Sequence, residues 1–83
     1  MAIECGTFIR FNQAPTPPER KTLIWHIVAN DGGDILGSIK WYGPWRKYCF
    51  FPFGNGVFEW VCLREIAGFC ERKTREHKKG VKP

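Results

Sequence analysis

The thiols, imidazoles and serine hydroxyls of this chain are few: four cysteines, two histidines and one serine, Ser38. The cysteines are Cys5, Cys49, Cys62 and Cys70, separated by 44, 13 and 8 positions. None has the two-to-four-residue spacing of a zinc knuckle, and His26 and His77 sit near no cysteine pair, so no metal site is expected. On one helix, Cys62 and Cys70 would lie about 12 Å apart, too far for a disulfide. With no export signal in view, the expectation is four reduced thiols, mostly buried as small hydrophobes, in a cytosolic protein.

Catalysis fares no better. A Ser–His–Asp arrangement would need His26, Ser38 and Asp31 or Asp34 to converge, yet both aspartates flank Gly32-Gly33 and read as turn residues. A Cys49–His26 dyad across a sheet lacks any supporting context. The glycine pairs lie between strand-like segments, and no Gly-Lys-Ser/Thr follows them, which removes a phosphate loop. No catalytic residue, no cofactor and no enzymatic activity are expected. What the chain does have is rings: nine of its thirteen aromatics lie between Trp41 and Trp60.

The elements that position those rings follow from local pattern. Eighty-three residues make one small domain, and no apolar run reaches the roughly 18–20 residues of a membrane span. Residues 1–21 read as an N-terminal arm, with an alternating stretch from Thr7 to Phe11, either a short strand or a segment packed on a neighbouring surface, and a proline-rich loop from Asn12 to Lys21. Thr22–Asn30 is rich in β-branched and aromatic residues and reads as a strand. Asp31-Gly32-Gly33-Asp34 is a tight-turn signal, followed by strands at Ile35–Tyr42 and Trp45–Phe53 and a short fourth at Val57–Trp60. From Val61 onward the period changes: Leu63, Ile66, Ala67 and Cys70 form an i, i+3, i+4, i+7 stripe. Gly80 is the expected stop, with residues 81–83 as a frayed tail. The expected fold is α+β, an antiparallel meander of three to four strands with one C-terminal amphipathic helix on one face, occupying residues 22–80.

One helix cannot cover both faces of such a sheet, so some rings stay exposed. Trp41, Trp45, Arg46, Lys47 and Tyr48 are the candidate partner-binding residues. Rings interleaved with Arg and Lys suit a protein hot spot, and equally base stacking with phosphate contact. Phe8, Ile9, Arg10 and Phe11 form a second candidate patch. Charge supplies a third. The formal net charge is +5, yet residues 1–71 hold seven basic and seven acidic residues, leaving the excess in residues 72–83. Arg72, Lys73, Arg75, Lys78 and Lys79 are therefore candidate contacts to nucleic acid or an acidic partner, against the plainer reading of a solvated helix end.

The block Trp41-Tyr42-Gly43-Pro44-Trp45-Arg46-Lys47-Tyr48-Cys49-Phe50-Phe51-Pro52, followed by a helix ending near Lys78, resembles a group of small uncharacterised bacterial and phage or prophage proteins. The resemblance spans Trp25 to Lys78. It implies a prokaryotic or phage setting, and with it the cytoplasm of a bacterial host cell. By analogy it implies a non-enzymatic binding protein that occupies a host protein or protein–nucleic-acid complex, such as a CRISPR effector of a defence system. The alternative is a direct DNA- or RNA-binding accessory protein, since a meander followed by a helix is similar in layout to the arm-binding domains of phage integrases. The double-stranded-RNA-binding fold begins with a helix, which Asn12–Lys21 cannot supply. No membrane partner is expected, and the oligomeric state is a monomer or a homodimer.

Overall fold

The computed structural model describes residues 3–54 and 56–79. Five strands, β1 (Ile3–Cys5), β2 (Ile9–Gln13), β3 (Ile24–Ala29), β4 (Ile35–Tyr42) and β5 (Lys47–Pro52), are followed by one helix, α1 (Trp60–Lys78). The strands form a single antiparallel sheet in sequence order. The α+β meander with a C-terminal helix is thus the architecture, with more strands than the three or four expected. The extra ones come from the segment expected to be an arm. Its alternation of Ile9, Arg10 and Phe11 becomes β2, which pairs with β3 through Phe11–Ile27 and Gln13–Trp25. Val57–Trp60 does not become a strand: Trp60 opens α1, and Gly56–Glu59 is irregular chain leading into it. The expected stop at Gly80 and the tail at 81–83 lie outside the described residues.

Each connection has a local cause. Gly32 and Gly33 take φ of 88° and 76° in the β3–β4 turn, a backbone region that L side chains avoid. The β4–β5 link is a 3-10 turn, Gly43–Trp45, with Pro44 at its start. Arg46 leaves that turn at φ 52°, its N–H donating to the carbonyls of Tyr42 (3.0 Å) and Gly43 (3.1 Å). The proline-rich loop closes where Ala14 N–H donates to the Ile24 carbonyl at 2.8 Å. Glu59 caps α1, its carboxylate accepting from the backbone N–H of Cys62 (2.7 Å) and Val61 (3.0 Å). Those two N–H groups, Cys62's first, hold the Glu59 carboxyl below its ordinary value of 4.5.

The core lies between the sheet and α1. Ile9, Phe11, Trp25, Ile27, Ile39 and Tyr48 come from the sheet, and Cys62, Ile66 and Phe69 from the helix. The helix is therefore rotated relative to the stripe expected from spacing: Leu63 and Ala67 point outward, and Phe69 takes the centre. The reason is ring packing. Phe69 stacks on Phe11 with centroids 4.2 Å apart and meets Trp25 edge-on at 5.0 Å. Neither Leu63 nor Ala67 could fill that volume.

Polar contacts at both ends of the helix fasten it to the sheet. Tyr48 N–H donates to Thr74 Oγ1 at 2.9 Å, tying the edge strand β5 to α1, and Leu23 N–H donates to the Tyr48 hydroxyl at 3.1 Å. At the other end, Glu65 Oε2 accepts from Thr7 N–H (2.9 Å) and Thr7 Oγ1 (3.0 Å), fastening the β1–β2 turn to the helix. A Cβ at Gly6 would meet the Glu65 carboxylate, which would have to move away from Thr7 to admit it. Among the described residues no helix is long and apolar enough to cross a membrane.

Candidate functional site

The pleat of the sheet sorts the aromatic stretch into two sets. Successive residues point to opposite faces, and paired residues share one. The register pairs Trp41 with Tyr48 and Ile39 with Phe50, which places all four on the helix side. The same register pairs Tyr42 with Lys47, Lys40 with Cys49 and Ser38 with Phe51, which places these six on the opposite face. Pairing with β3 and β2 adds His26, then Asn12 and Arg10, to that open face.

The ring contacts agree with this sorting. On the helix side Trp41 meets Tyr48 edge-on at 5.2 Å and His77 at 4.4 Å, and Trp25 meets Tyr48 at 5.4 Å. On the open face Tyr42 meets Trp45 at 4.9 Å and Phe51 at 6.2 Å, both edge-on. Lys40 Nζ lies over the Phe51 ring, 4.6 Å from its centroid. The result is an aromatic row, Trp45–Tyr42–Phe51, flanked by Lys40, Arg46 and Lys47. Trp45 is 66% exposed, and Arg46 and Lys47 are exposed beside it.

The charge on this face is of one sign. No Asp or Glu occurs in β2, β3, β4 or β5. Glu4 is in β1, paired in register with Phe11 rather than with an open-face residue, and the other carboxylates lie in loops, turns and α1, where Glu65, Glu71 and Glu76 bind Thr7, Arg75 and Lys73. Arg10, Lys40 and Lys47 thus face solvent across the sheet without a carboxylate on their face. Arg10 is partly committed, donating to the Ala29 carbonyl at 3.2 Å and the Asn30 side chain at 3.5 Å.

The residues expected to bind a partner are therefore split. Trp45, Arg46 and Lys47 stand together on the surface. Tyr48 is buried at 4% exposure, and Trp41 is half-buried against Tyr48 and His77. Both form part of the packing under α1 rather than a contact surface. In the second patch Ile9 and Phe11 are core residues at 1% and 4% exposure, since their pleat points them at the helix; Phe8 is exposed in the turn. In the basic segment Lys73 lies along the core rim, over the Trp25 ring at 5.5 Å and paired with Glu76 at 3.4 Å. Arg72 lies over the Phe69 ring, Arg75 pairs with Glu71 at 2.8 Å, and Lys78 and Lys79 end the helix exposed. Reading the sequence missed Tyr42, Phe51 and Lys40. Their alternation with Trp41, Tyr48 and Phe50 is the signal that could have found them.

All four cysteines are free thiols. Burial pushes the Cys70 thiol up to about 11, with the neighbouring Cys49 adding to it. Burial raises Cys62 as well, and the Glu59 carboxylate adds to that. Both shifts move the thiols away from nucleophilic character. Among the described residues no group of three or more His, Cys, Asp or Glu side chains is placed to hold a metal ion.

Over 61 residues the chain is 36% identical to an uncharacterized 9.3 kDa protein of Acholeplasma phage L2, a match covering 74% of this chain and 78% of the phage protein. The chain belongs to the family of that phage protein. No family profile and no solved structure matches it. A small phage-type protein agrees with the setting that the aromatic block implies, and the open sheet face is the surface this member of the family presents.

Proposed function

We propose that this phage-type protein is a non-catalytic nucleic-acid-binding module that works through the open face of its sheet. One observation carries the reading: the aromatic row Trp45–Tyr42–Phe51 lies among Lys40, Arg46 and Lys47 on a sheet whose strands β2–β5 contain no carboxylate. Rings offer stacking platforms to bases and the cations meet phosphates, the combination single-strand binders use. A protein hot spot would also favour Trp, Tyr and Arg, but carries no such requirement for charge of one sign.

The test is fluorescence anisotropy with labelled oligothymidine. Three phosphate contacts at about 0.7 log units each predict a roughly 20-fold loss of affinity between about 50 and about 200 mM salt. Tyr42→Ala should weaken binding by about 5- to 100-fold, the worth of one stacked base. No binding at micromolar protein in low salt would sink the proposal.

A second reading, occupation of a host protein and with it inhibition of a defence or nucleic-acid-handling machine, is favoured by a different surface. Phe53, Val57, Trp60 and Leu63 are exposed around the start of α1, with Trp60 at 65%. A host protein retained by the folded chain after nuclease treatment, and lost with Trp60→Ala, would support this reading over the first. Retention abolished by nuclease would count against it.

A further inference from the structure

The open face meets a second cationic surface at the edge strand. Between β5 and α1 runs a groove of about 690 Å³, whose walls include Lys47, Arg64, Arg75 and Lys78. One carboxylate, Glu71, also lines it, and Arg75 already holds it at 2.8 Å. The floor is small and smooth, with Ala67 and Gly68. A groove of this size admits a nucleotide-sized unit. Lys47 belongs to both surfaces: its register places it on the open face, and its position on the edge strand places it in the groove.

We propose that the groove holds the sugar–phosphate backbone of the same nucleic-acid strand whose bases lie on the open face, the strand bending around β5 at Lys47. The inference rests on the nucleic-acid reading above and extends it in two respects. It gives Arg64 and Lys78 a role in binding, and it restricts the ligand to a single strand. A duplex, with a persistence length of about 150 base pairs, cannot turn around a sheet edge within about 10 Å; a single strand can.

The edge itself speaks against a peptide as the occupant. A peptide added as a sixth strand would need the outward backbone donors of β5. Tyr48 N–H is already taken by Thr74 Oγ1, and Pro52 has no N–H to offer. What the edge leaves open is charge, and its sign suits phosphate.

Two lengths of labelled oligothymidine, about 5 and about 12 nucleotides, separate the two surfaces, since single-strand sites span roughly 4 to 16 nucleotides. The variant is Arg64→Gln with Lys78→Gln, both exposed side chains, with folding checked by circular dichroism. The expected result is unchanged affinity of the variant for the short oligomer. On the long oligomer its salt slope should be shallower than wild type by about 1.4, the worth of two phosphate contacts on a single strand. A duplex of the longer length should show no difference between variant and wild type. If the short oligomer binds wild type but variant and wild type have the same slope on the long one, the groove inference is overturned and the open face stands. Equal loss on duplex and single strand also overturns it. If wild type binds neither oligomer, the reading beneath it fails.

Discussion

Replacing Phe69 tests the claim that one ring joins the two layers. Phe69 is fully buried, stacked on Phe11 at 4.2 Å and edge-on to Trp25 at 5.0 Å. Phe69→Ala removes the ring and leaves a cavity between helix and sheet, a change worth about 3–5 kcal/mol. A chain of 83 residues has a total stability of about 4–12 kcal/mol at the usual per-residue value. The substitution thus takes about a quarter or more of it. Phe69→Leu keeps most of the volume and should cost about 1.5 kcal/mol. Urea unfolding followed by helical circular dichroism reads both. With a slope of about 1 kcal/mol per molar for a small domain, the alanine midpoint should fall by about 3–5 M and the leucine midpoint by about 1.5 M. An alanine variant that loses less than about 1 kcal/mol would refute the packing argument, because an uncollapsed cavity of that kind cannot be so cheap.

Three further outcomes follow from the same contacts. Gly6→Ala should destabilise by about 1–2 kcal/mol by displacing the Glu65 carboxylate from Thr7, and the penalty should shrink in a Glu65→Ala background, measured by a double-mutant cycle. Glu59 has its folded pKa depressed, so its cap contributes above pH 4.5 and is lost as pH falls through the folded value. The stability gap between wild type and Glu59→Ala, present at neutral pH, should close on acidification in helical circular dichroism melts. Alkylation at pH 8 followed by mass spectrometry should label exposed Cys5 ahead of Cys70, whose thiol, pushed up to about 11, is ionised in about one molecule per thousand at that pH.

Much of the architecture was legible because the local signals were strong. Asp31-Gly32-Gly33-Asp34 and Gly43-Pro44 marked the turns, and the β4 boundaries at Ile35 and Tyr42 follow from them. The helix phase was not legible. Leu63-Ile66-Ala67-Cys70 and Cys62-Ile66-Phe69 both satisfy helical spacing, and only the facing rings Phe11 and Trp25 choose between them. Phe11 in turn belonged to a segment that read as an arm, since its alternation shows a strand but not the neighbour it pairs with.

The binding surface was half legible for the same kind of reason. The pleat separates Trp41 and Tyr48 from Tyr42 and Phe51 by inspection, but which set the helix covers is a tertiary fact. Charge misled in a different way. A running sum made residues 1–71 neutral, because it pooled carboxylates of β1, the loops and turns and the helix with the cations of the open face. Sorted by face, the sheet is basic, and this shifts the preferred partner from protein toward nucleic acid.

The most direct test of that claim is a ¹H–¹⁵N chemical-shift titration of the protein with oligothymidine at low salt. With the short oligomer of about 5 nucleotides, which occupies the open face alone, the account predicts shifts concentrated at Lys40, Tyr42, Trp45, Arg46, Lys47 and Phe51, with Val57, Trp60 and Leu63 unmoved. No shifts, or shifts confined to the start of α1, would contradict it.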